Sequence, residues 1–157
     1  MMYAVRFFAM QIENIRHIGI VVQDLQTSLA FYQDLLGFRI QRRMKEKGAF
    51  IDKILGFGDV EVTTLKMKIP GNQVMIELLH YHHPRQSGEN IPRKVNAVGI
   101  GHIALTVANI FDVYQQLSAV GVEFISPPQL APDQSVRVAF CQAPEGTYIE
   151  LVEQING

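Results

Sequence analysis

The sequence has 157 residues, of which 48% are hydrophobic and 18% are charged, and its formal net charge is −1. This composition supports a buried core and excludes a disordered chain, and the lack of a basic stripe argues against nucleic acid as a partner. Every uninterrupted apolar run is shorter than the roughly 18 residues that a membrane-spanning helix needs, so no membrane association is expected.

The N-terminal segment 1–12 carries one arginine and a short apolar patch. It lacks the length and the small-residue cleavage site of a signal peptide. We therefore interpret it as a tail or as an added segment at a sheet edge.

The first regular element is the alternating run "HIGIVV", which begins at His17. Alternation predicts a strand with Ile18, Ile20 and Val22 on its core face. His17 then points to the opposite face, and the next residue on that face is the small Gly19. An isolated histidine in such a strand is usually structural, so its significance depends on what accompanies it.

A helix is predicted directly after this strand. Asp24 suits its N-cap, and Gly37 suits a left-handed residue just after its end. The apolar positions recur at helical spacing and are Leu25, Leu29, Tyr32 and Leu36. We expect Phe31 and Tyr32 to belong to the core.

The chain then returns through the predicted strand "FRIQRR" into a longer segment, 42–62, in which we predict a short helix at Phe50–Leu55. This segment opens with a basic run, which we interpret as a solvent-exposed edge of the sheet. The alternative interpretation is that the run binds a carboxylate or phosphate. The run consists of Arg42, Arg43, Lys45 and Lys47. The half closes with a strand, Val74–Tyr81, that places Ile76 and Leu78 toward the core and Glu77 opposite.

Three histidines, His80, His82 and His83, follow this strand and run into Pro84. We interpret them as loop or pocket-rim residues rather than as a metal site. His83 shares the face of Glu77 by alternation, and so it is the one of the three best placed to join that carboxylate. The segment 81–99 is the natural linker between the two halves of the chain.

The second half repeats the first. The run "HIALTV" starts at His102, with small Ala104 next on the same face, and a helix with Asn109 as cap and Gly121 after its end follows. The helical stripe is Ile110, Val113, Leu117 and Val120. A strand "VEFIS" and a closing strand, Thr147–Gln154, complete the half, and the closing strand presents Glu150 opposite Ile149 and Leu151. From histidine to glutamate the halves span 60 and 48 residues, and the difference lies in the segment 42–62.

Cys141 is the only cysteine, so an intrachain disulfide is excluded. A single cysteine fits a reducing compartment, and we expect a cytoplasmic protein. Cys141 has no histidine beside it in a nucleophile-like pattern, and we assign it no catalytic role.

This duplicated layout, with "HIGIVVQDLQTSLAFYQDLLGF" in one half and "GHIALTV" with "PEGTYIELVE" in the other, resembles the vicinal oxygen chelate superfamily (glyoxalase, bleomycin resistance protein and dioxygenase). Within it the chain is most similar to lactoylglutathione lyase and methylmalonyl-CoA epimerase. The resemblance implies an α+β fold with two βαβββ modules that form a half-open barrel around a metal. We expect one domain over 1–157, with module 1 at about 13–82 and module 2 at about 98–155.

The resemblance also implies a ligand set, which maps onto His17, Glu77, His102 and Glu150. Two imidazoles and two carboxylates suit one divalent ion, and zinc, nickel, cobalt, manganese and iron all stay open. Related proteins are homodimers, so a homodimer is expected, and the metal site lies either within one chain or between two. The other expected partner is a small-molecule substrate such as a thioester or thiohemiacetal.

The resemblance leaves the reaction open between two proton transfers. The asparagine that helps to bind glutathione in bacterial lactoylglutathione lyase is missing, because Leu79, His80 and Tyr81 follow Leu78. The stretch "IELLHYHHP" is closer to the epimerase, although the epimerase usually has glutamine where this chain has Glu77. In either reaction Glu150 and Glu77 are the expected catalytic residues that move a proton next to a carbonyl.

Two other function classes belong to the same fold. An extradiol-type dioxygenase needs two histidines and one glutamate around iron, so the fourth ligand, Glu77, argues against it. A non-catalytic antibiotic-binding protein keeps the fold without the four ligands, so an intact set argues against that class as well. We therefore expect a metal-dependent lyase or isomerase.

Overall fold

The structure is a computed structural model that describes residues 12–86 and 94–155. All of the predicted N-terminal tail except Ile12, and the middle of the predicted linker, lie outside the described residues. No helix in the described part of the chain is long and apolar enough to cross a membrane.

The first half forms a four-stranded sheet with strand order β1-β4-β3-β2. Strands β1 and β4 are parallel, and the other neighbours are antiparallel. The elements are β1 (His17–Val21), α1 (Leu25–Leu29) continuing as a π-helical turn (Ala30–Leu35), β2 (Arg39–Lys47), α2 (Ala49–Leu55), β3 (Glu61–Lys68) and β4 (Met75–His83). The predicted short helix in segment 42–62 is confirmed as α2.

The second half forms a second sheet with the matching order β5-β8-β7-β6. Its elements are β5 (His102–Thr106), α3 (Ile110–Ala119), β6 (Gln129–Leu130), β7 (Val136–Gln142) and β8 (Tyr148–Gln154). Strands β5 and β8 are parallel, as β1 and β4 are. The α+β class and the paired βαβββ modules are therefore confirmed, and no closed barrel forms within the described residues.

The first helix differs from the regular helix that the sequence predicts. Asp24 caps it, because its carboxylate accepts a hydrogen bond from the Thr27 amide at 2.8 Å. The chain then widens, and the Leu36 amide donates to the Phe31 carbonyl five residues back, at 3.0 Å. This turn of π-helix buries both Phe31 and Tyr32 in the core.

In the second module, two sequence expectations fail. Val120 ends α3 and is 61% exposed, so it does not join the buried stripe. The predicted strand at 122–126 is wrong, because Phe124 makes only one isolated bridge, to Cys141. Pro127 and Pro128 follow at once, and residues without an N–H cannot continue a strand ladder.

One continuous core joins the two modules. It combines the inner face of the first sheet, including Leu65 and Leu78, with that of the second, including Ile149 and Leu151. Cys141 lies in this core and is fully buried, and burial raises its thiol pKa to about 11. A thiol in this environment is inert, which agrees with assigning it no chemistry.

A buried hydrogen bond links the first helix to the second module. The Tyr32 hydroxyl donates to Glu145 Oε1 at 2.6 Å, and the Tyr32 side chain is 1% exposed. Burial and the neighbouring carboxylate raise the Tyr32 pKa far above its usual range, so the hydroxyl stays a donor. Glu145 Oε2 is buried and has no hydrogen-bond partner within the described residues. The hydrogen bond that Oε1 accepts from Tyr32 therefore compensates for the burial of this carboxylate.

We expect Tyr32→Phe to lower the free energy of unfolding by about 1–3 kcal/mol, because it leaves a buried carboxylate without its donor. Urea denaturation measures the loss. Tyr114→Phe is the control, since its hydroxyl makes no hydrogen bond in the described part of the chain. Tyr32 also predicts a pH dependence. In the unfolded chain this tyrosine ionises near pH 10, whereas in the folded chain its raised pKa keeps it protonated. The free energy of unfolding of the wild type should therefore fall as the pH rises above 10. Equal losses in both variants, or an unchanged alkaline slope in Tyr32→Phe, would contradict this role.

Candidate metal centre

The strand register brings one histidine and one glutamate together in each module. In the first sheet Gly19 of β1 is paired with Glu77 of β4. His17 is two residues before Gly19, so its side chain lies on the same face of the sheet as that of Glu77. In the second sheet Ala104 lies opposite Glu150 in the same relation to His102. Both positions paired with the glutamates carry small residues, and a Cβ at Gly19 would lie 3.2 Å from Leu79 Cδ1.

The first pair is the more enclosed of the two. His17 Nε2 lies 3.0 Å from Glu77 Oε2, and the Glu77 side chain is only 11% exposed. Its other oxygen, Oε1, lies 3.7 Å from the Lys66 ammonium on β3. Both carboxylate oxygens of Glu77 are therefore engaged. His17 Nδ1 is buried without a hydrogen-bond partner among the described residues.

The second pair has the same geometry in a more open setting. His102 Nε2 lies 3.0 Å from Glu150 Oε2, and the two side chains are 42% and 21% exposed. The Phe140 ring packs edge-on against the His102 imidazole, with 5.2 Å between ring centroids. Glu150 Oε1 makes no hydrogen bond or ion pair with the described residues, so this carboxylate keeps one oxygen free.

The two pairs do not meet in one chain. Within residues 12–86 and 94–155, no three histidine, cysteine, aspartate or glutamate side chains lie close enough together to hold one ion. A cleft of about 220 Å³ between β1, the segment 94–101 and the start of β8 includes Tyr148 but none of the four predicted ligands. We call each histidine–glutamate pair a half-site: His17 with Glu77 is the first and His102 with Glu150 is the second. Each half-site lies on a partly open sheet face.

The donor chemistry of the half-sites suits a divalent metal. Neighbouring ligands at about 2.1 Å from an octahedral divalent ion lie about 3 Å apart, and those of tetrahedral zinc lie about 3.4 Å apart. Both histidine–glutamate pairs have the first of these separations, and each presents an imidazole nitrogen beside a carboxylate oxygen. Two such pairs would make the mixed nitrogen and oxygen set that borderline divalent ions accept.

The histidine cluster at the end of β4 lies apart from Glu77. Strand β4 extends to His83, so these residues are in a strand and not in a loop. His82 Nε2 lies 2.8 Å from the Thr63 hydroxyl, and His80 Nδ1 lies 3.3 Å from the Val22 carbonyl oxygen. His83 is exposed and pairs with Glu61 in the sheet register. None of the three joins a group of three candidate metal ligands within the described residues.

Helix α2 covers the far end of the first half-site's face. Ile51 packs with Val60 and Val62, and Leu79 and Tyr81 on the face of Glu77 pack against this cluster. The Asp52 carboxylate holds the helix in place by accepting the Val60 amide at 2.7 Å. The second sheet has no counterpart to α2 in the described chain, so the two faces differ in shape.

Sequence reasoning missed Lys66 and Phe140, the residues that stand beside the two glutamates. Each lies opposite its glutamate in an antiparallel register, Lys66 with Glu77 and Phe140 with Glu150. The only signal in the sequence is alternation within β3 and β7. Alternation gives the face of a residue but not its partner on the next strand.

Several known proteins are similar to this chain in sequence or in fold. The model of the Glyoxalase/Bleomycin resistance protein/Dioxygenase superfamily matches residues 14–151. A lactoylglutathione lyase from Pseudomonas aeruginosa is 30% identical, over 90% of this chain and 83% of that protein. The uncharacterized protein YwbC from Bacillus subtilis is 26% identical, over 90% and 98%. A glyoxalase family protein from Bacillus cereus has the same fold, with a TM-score of 0.85, 22% identity and coverage of 96% and 100%.

Proposed function

The chain belongs to the Glyoxalase/Bleomycin resistance protein/Dioxygenase superfamily, and we propose that it is a divalent-metal-dependent lyase or isomerase that transfers a proton next to a carbonyl. The observation that carries this proposal is the repeated histidine–glutamate pair, at 3.0 Å in each module and in the same register. A non-catalytic binding protein would need neither pair. Relatives named lactoylglutathione lyase support the lyase form, and the missing glutathione-binding asparagine leaves its substrate open.

We propose that His17, Glu77, His102 and Glu150 hold one metal ion between two chains of a homodimer. Each chain supplies two complete half-sites that do not meet within its described residues. The His102 and Glu150 face is open, and it would be covered when it meets the His17 and Glu77 face of a second copy. A twofold axis would then build two equivalent sites from one kind of contact.

The metal would polarise the substrate carbonyl and stabilise the negative charge that develops on its oxygen, an effect worth several kcal/mol. Glu150 acts as the general base, because its Oε1 has no partner in the described chain and can accept a proton from carbon. Glu77 approaches from the pseudo-symmetric position. Because His17 and Lys66 engage both of its oxygens, Glu77 is suited to holding the site, and it can return the proton on the other side only after one of these contacts opens.

Metal analysis tests the ligand assignment without measuring catalysis. We expect one divalent ion per chain in the purified wild-type protein and a strong loss of that ion in both His17→Ala and His102→Ala. His83→Ala should keep the full metal content, because His83 is exposed and lies outside the half-sites. Wild-type metal content in either ligand variant would remove that histidine from the proposed set.

Cytoplasmic location is proposed on the single buried cysteine alone.

A further inference from the structure

Four cationic side chains lie on the Glu77 face of the first sheet, and we call them the cationic patch. Lys66 faces Glu77 directly, and Lys68 is two residues further along β3 and therefore on the same face. Arg42 of β2 is paired with Lys66, and Arg39 is paired with Lys68. Directly paired residues share a face, so all four belong to the surface that carries the proposed metal ligands.

A β-bulge is what brings both arginines to this face. Arg39 and Arg42 are three residues apart, and in a regular strand such residues point to opposite sides. The register advances by two residues on β2 and by one on β3 between Ile40 and Arg42, so Gln41 is the extra residue. Bulges of this kind re-aim side chains and are frequent beside functional sites. The bulge therefore splits the basic run of the sequence, with Arg42 on the site face and Arg43, paired with buried Leu65, on the other.

Three of the four cations of the patch make no ion pair with the described residues. Among the described residues, Lys66 has one carboxylate neighbour, Glu77 at 3.7 Å, and neither Arg39, Arg42 nor Lys68 has a carboxylate within salt-bridge distance. Lys66 is also partly enclosed, with 21% of its side chain exposed. The second sheet has Phe140 at the position of Lys66, so the charge belongs to one half-site only.

The dimensions of the patch suit one small anion. Neighbouring strands are about 4.8 Å apart, and residues two apart on a strand are about 6.7 Å apart, so the four Cα atoms outline about 5 by 7 Å. Long cationic side chains from such a frame can converge on one carboxylate or phosphate group. Lys66 is on the strand next to Glu77, which sets that anion about one strand spacing from the proposed metal ligand.

We propose that the cationic patch binds a carboxylate or phosphate group that the substrate carries close to its reacting carbonyl, with Arg42 and Lys66 as the main contacts. This inference names the substrate class of the proposed site and so rests on the proposed function. It predicts a small acidic substrate whose charge lies within a few bonds of the carbon that loses its proton. A neutral carbonyl compound would leave the patch unused.

The test is an NMR titration of the purified protein with inorganic phosphate and, separately, with malonate. Both are repeated after the metal has been removed by dialysis against a chelator, so that contact of the anion with the metal is separated from contact with the patch. We expect saturable binding that weakens by about 10–100-fold in Lys66→Met and in Arg42→Gln, because each removes a charge-assisted hydrogen bond. Arg43→Gln changes the same charge on the same strand but the opposite face, and it should bind within about twofold of wild type.

Tighter phosphate binding would identify a phosphorylated substrate, and tighter malonate binding would identify a carboxylic acid; both outcomes support the patch. The inference is overturned if neither anion shows saturable binding, if Lys66→Met and Arg42→Gln bind like wild type, or if Arg43→Gln weakens binding as much as they do. If the anions do not bind to the cationic patch while the metal content is intact, the proposed function still stands. Loss of the metal assignment with anion binding intact would remove the proposed function and leave the anion site.

Discussion

Replacing Glu150 by glutamine is expected to slow exchange of the substrate α-proton by about 10²–10⁴-fold, the usual contribution of a general base. Glutamine keeps the size of the side chain and one oxygen that can still approach a metal, but it cannot accept the proton. The side chain is 21% exposed and lies outside the continuous core, so the variant should fold and keep part of its metal. Incorporation of solvent deuterium into candidate substrates measures the exchange directly.

Glu153→Gln is the matched control for this experiment. It makes the same chemical change on the same strand, but Glu153 lies on the opposite face, where it pairs with Arg137 at 3.1 Å. We expect its exchange rate to equal that of the wild type. Undiminished exchange in Glu150→Gln at wild-type metal content would rule out Glu150 as the base. An equal slowing in Glu153→Gln would assign the effect to the strand and not to the carboxylate.

Co-expression of His17→Ala and His102→Ala chains should restore activity that neither variant has alone. Loss of a residue that only orients a metal ligand already costs about 10–100-fold, so loss of a proposed ligand should cost each variant alone at least as much. In a mixed dimer with shared sites, the intact first module of one chain meets the intact second module of the other. One of its two sites is then of wild-type composition, and the other carries both substitutions.

The expected recovery follows from random pairing. Half of the dimers are mixed and each has one intact site of two, so the mixture should reach about one quarter of wild-type activity. The chains can carry different affinity tags, so that the mixed dimers are purified and measured alone, where about one half is expected. Activity no higher than that of the separate variants would place each site within one chain. Sedimentation as a monomer at micromolar concentration would equally contradict the shared site.

Much of the fold was predictable because it depends on short-range patterns. The alternation around His17 and His102 shows which residues face the core, since neighbouring side chains of a strand point to opposite sides. The caps at Asp24 and Asn109 were predictable for the same reason, because they satisfy amides two or three residues away. The helical spacing did not reveal the π-helical turn, since one extra residue per turn leaves the local apolar pattern nearly unchanged.

Local patterns in the sequence identify the side chains that each module presents away from its core, namely one histidine and one glutamate. The residues that lie beside them depend on how the strands pair and pack. The bulge at Gln41 turns Arg39 and Arg42 to one face, and the β3–β4 register sets Lys66 against Glu77. Strand pairing joins residues that are distant in sequence, and its register depends on the packing of whole sheets, so no local pattern contains it. For the same reason, the separation of the two histidine–glutamate pairs became visible only when both modules were packed around one core.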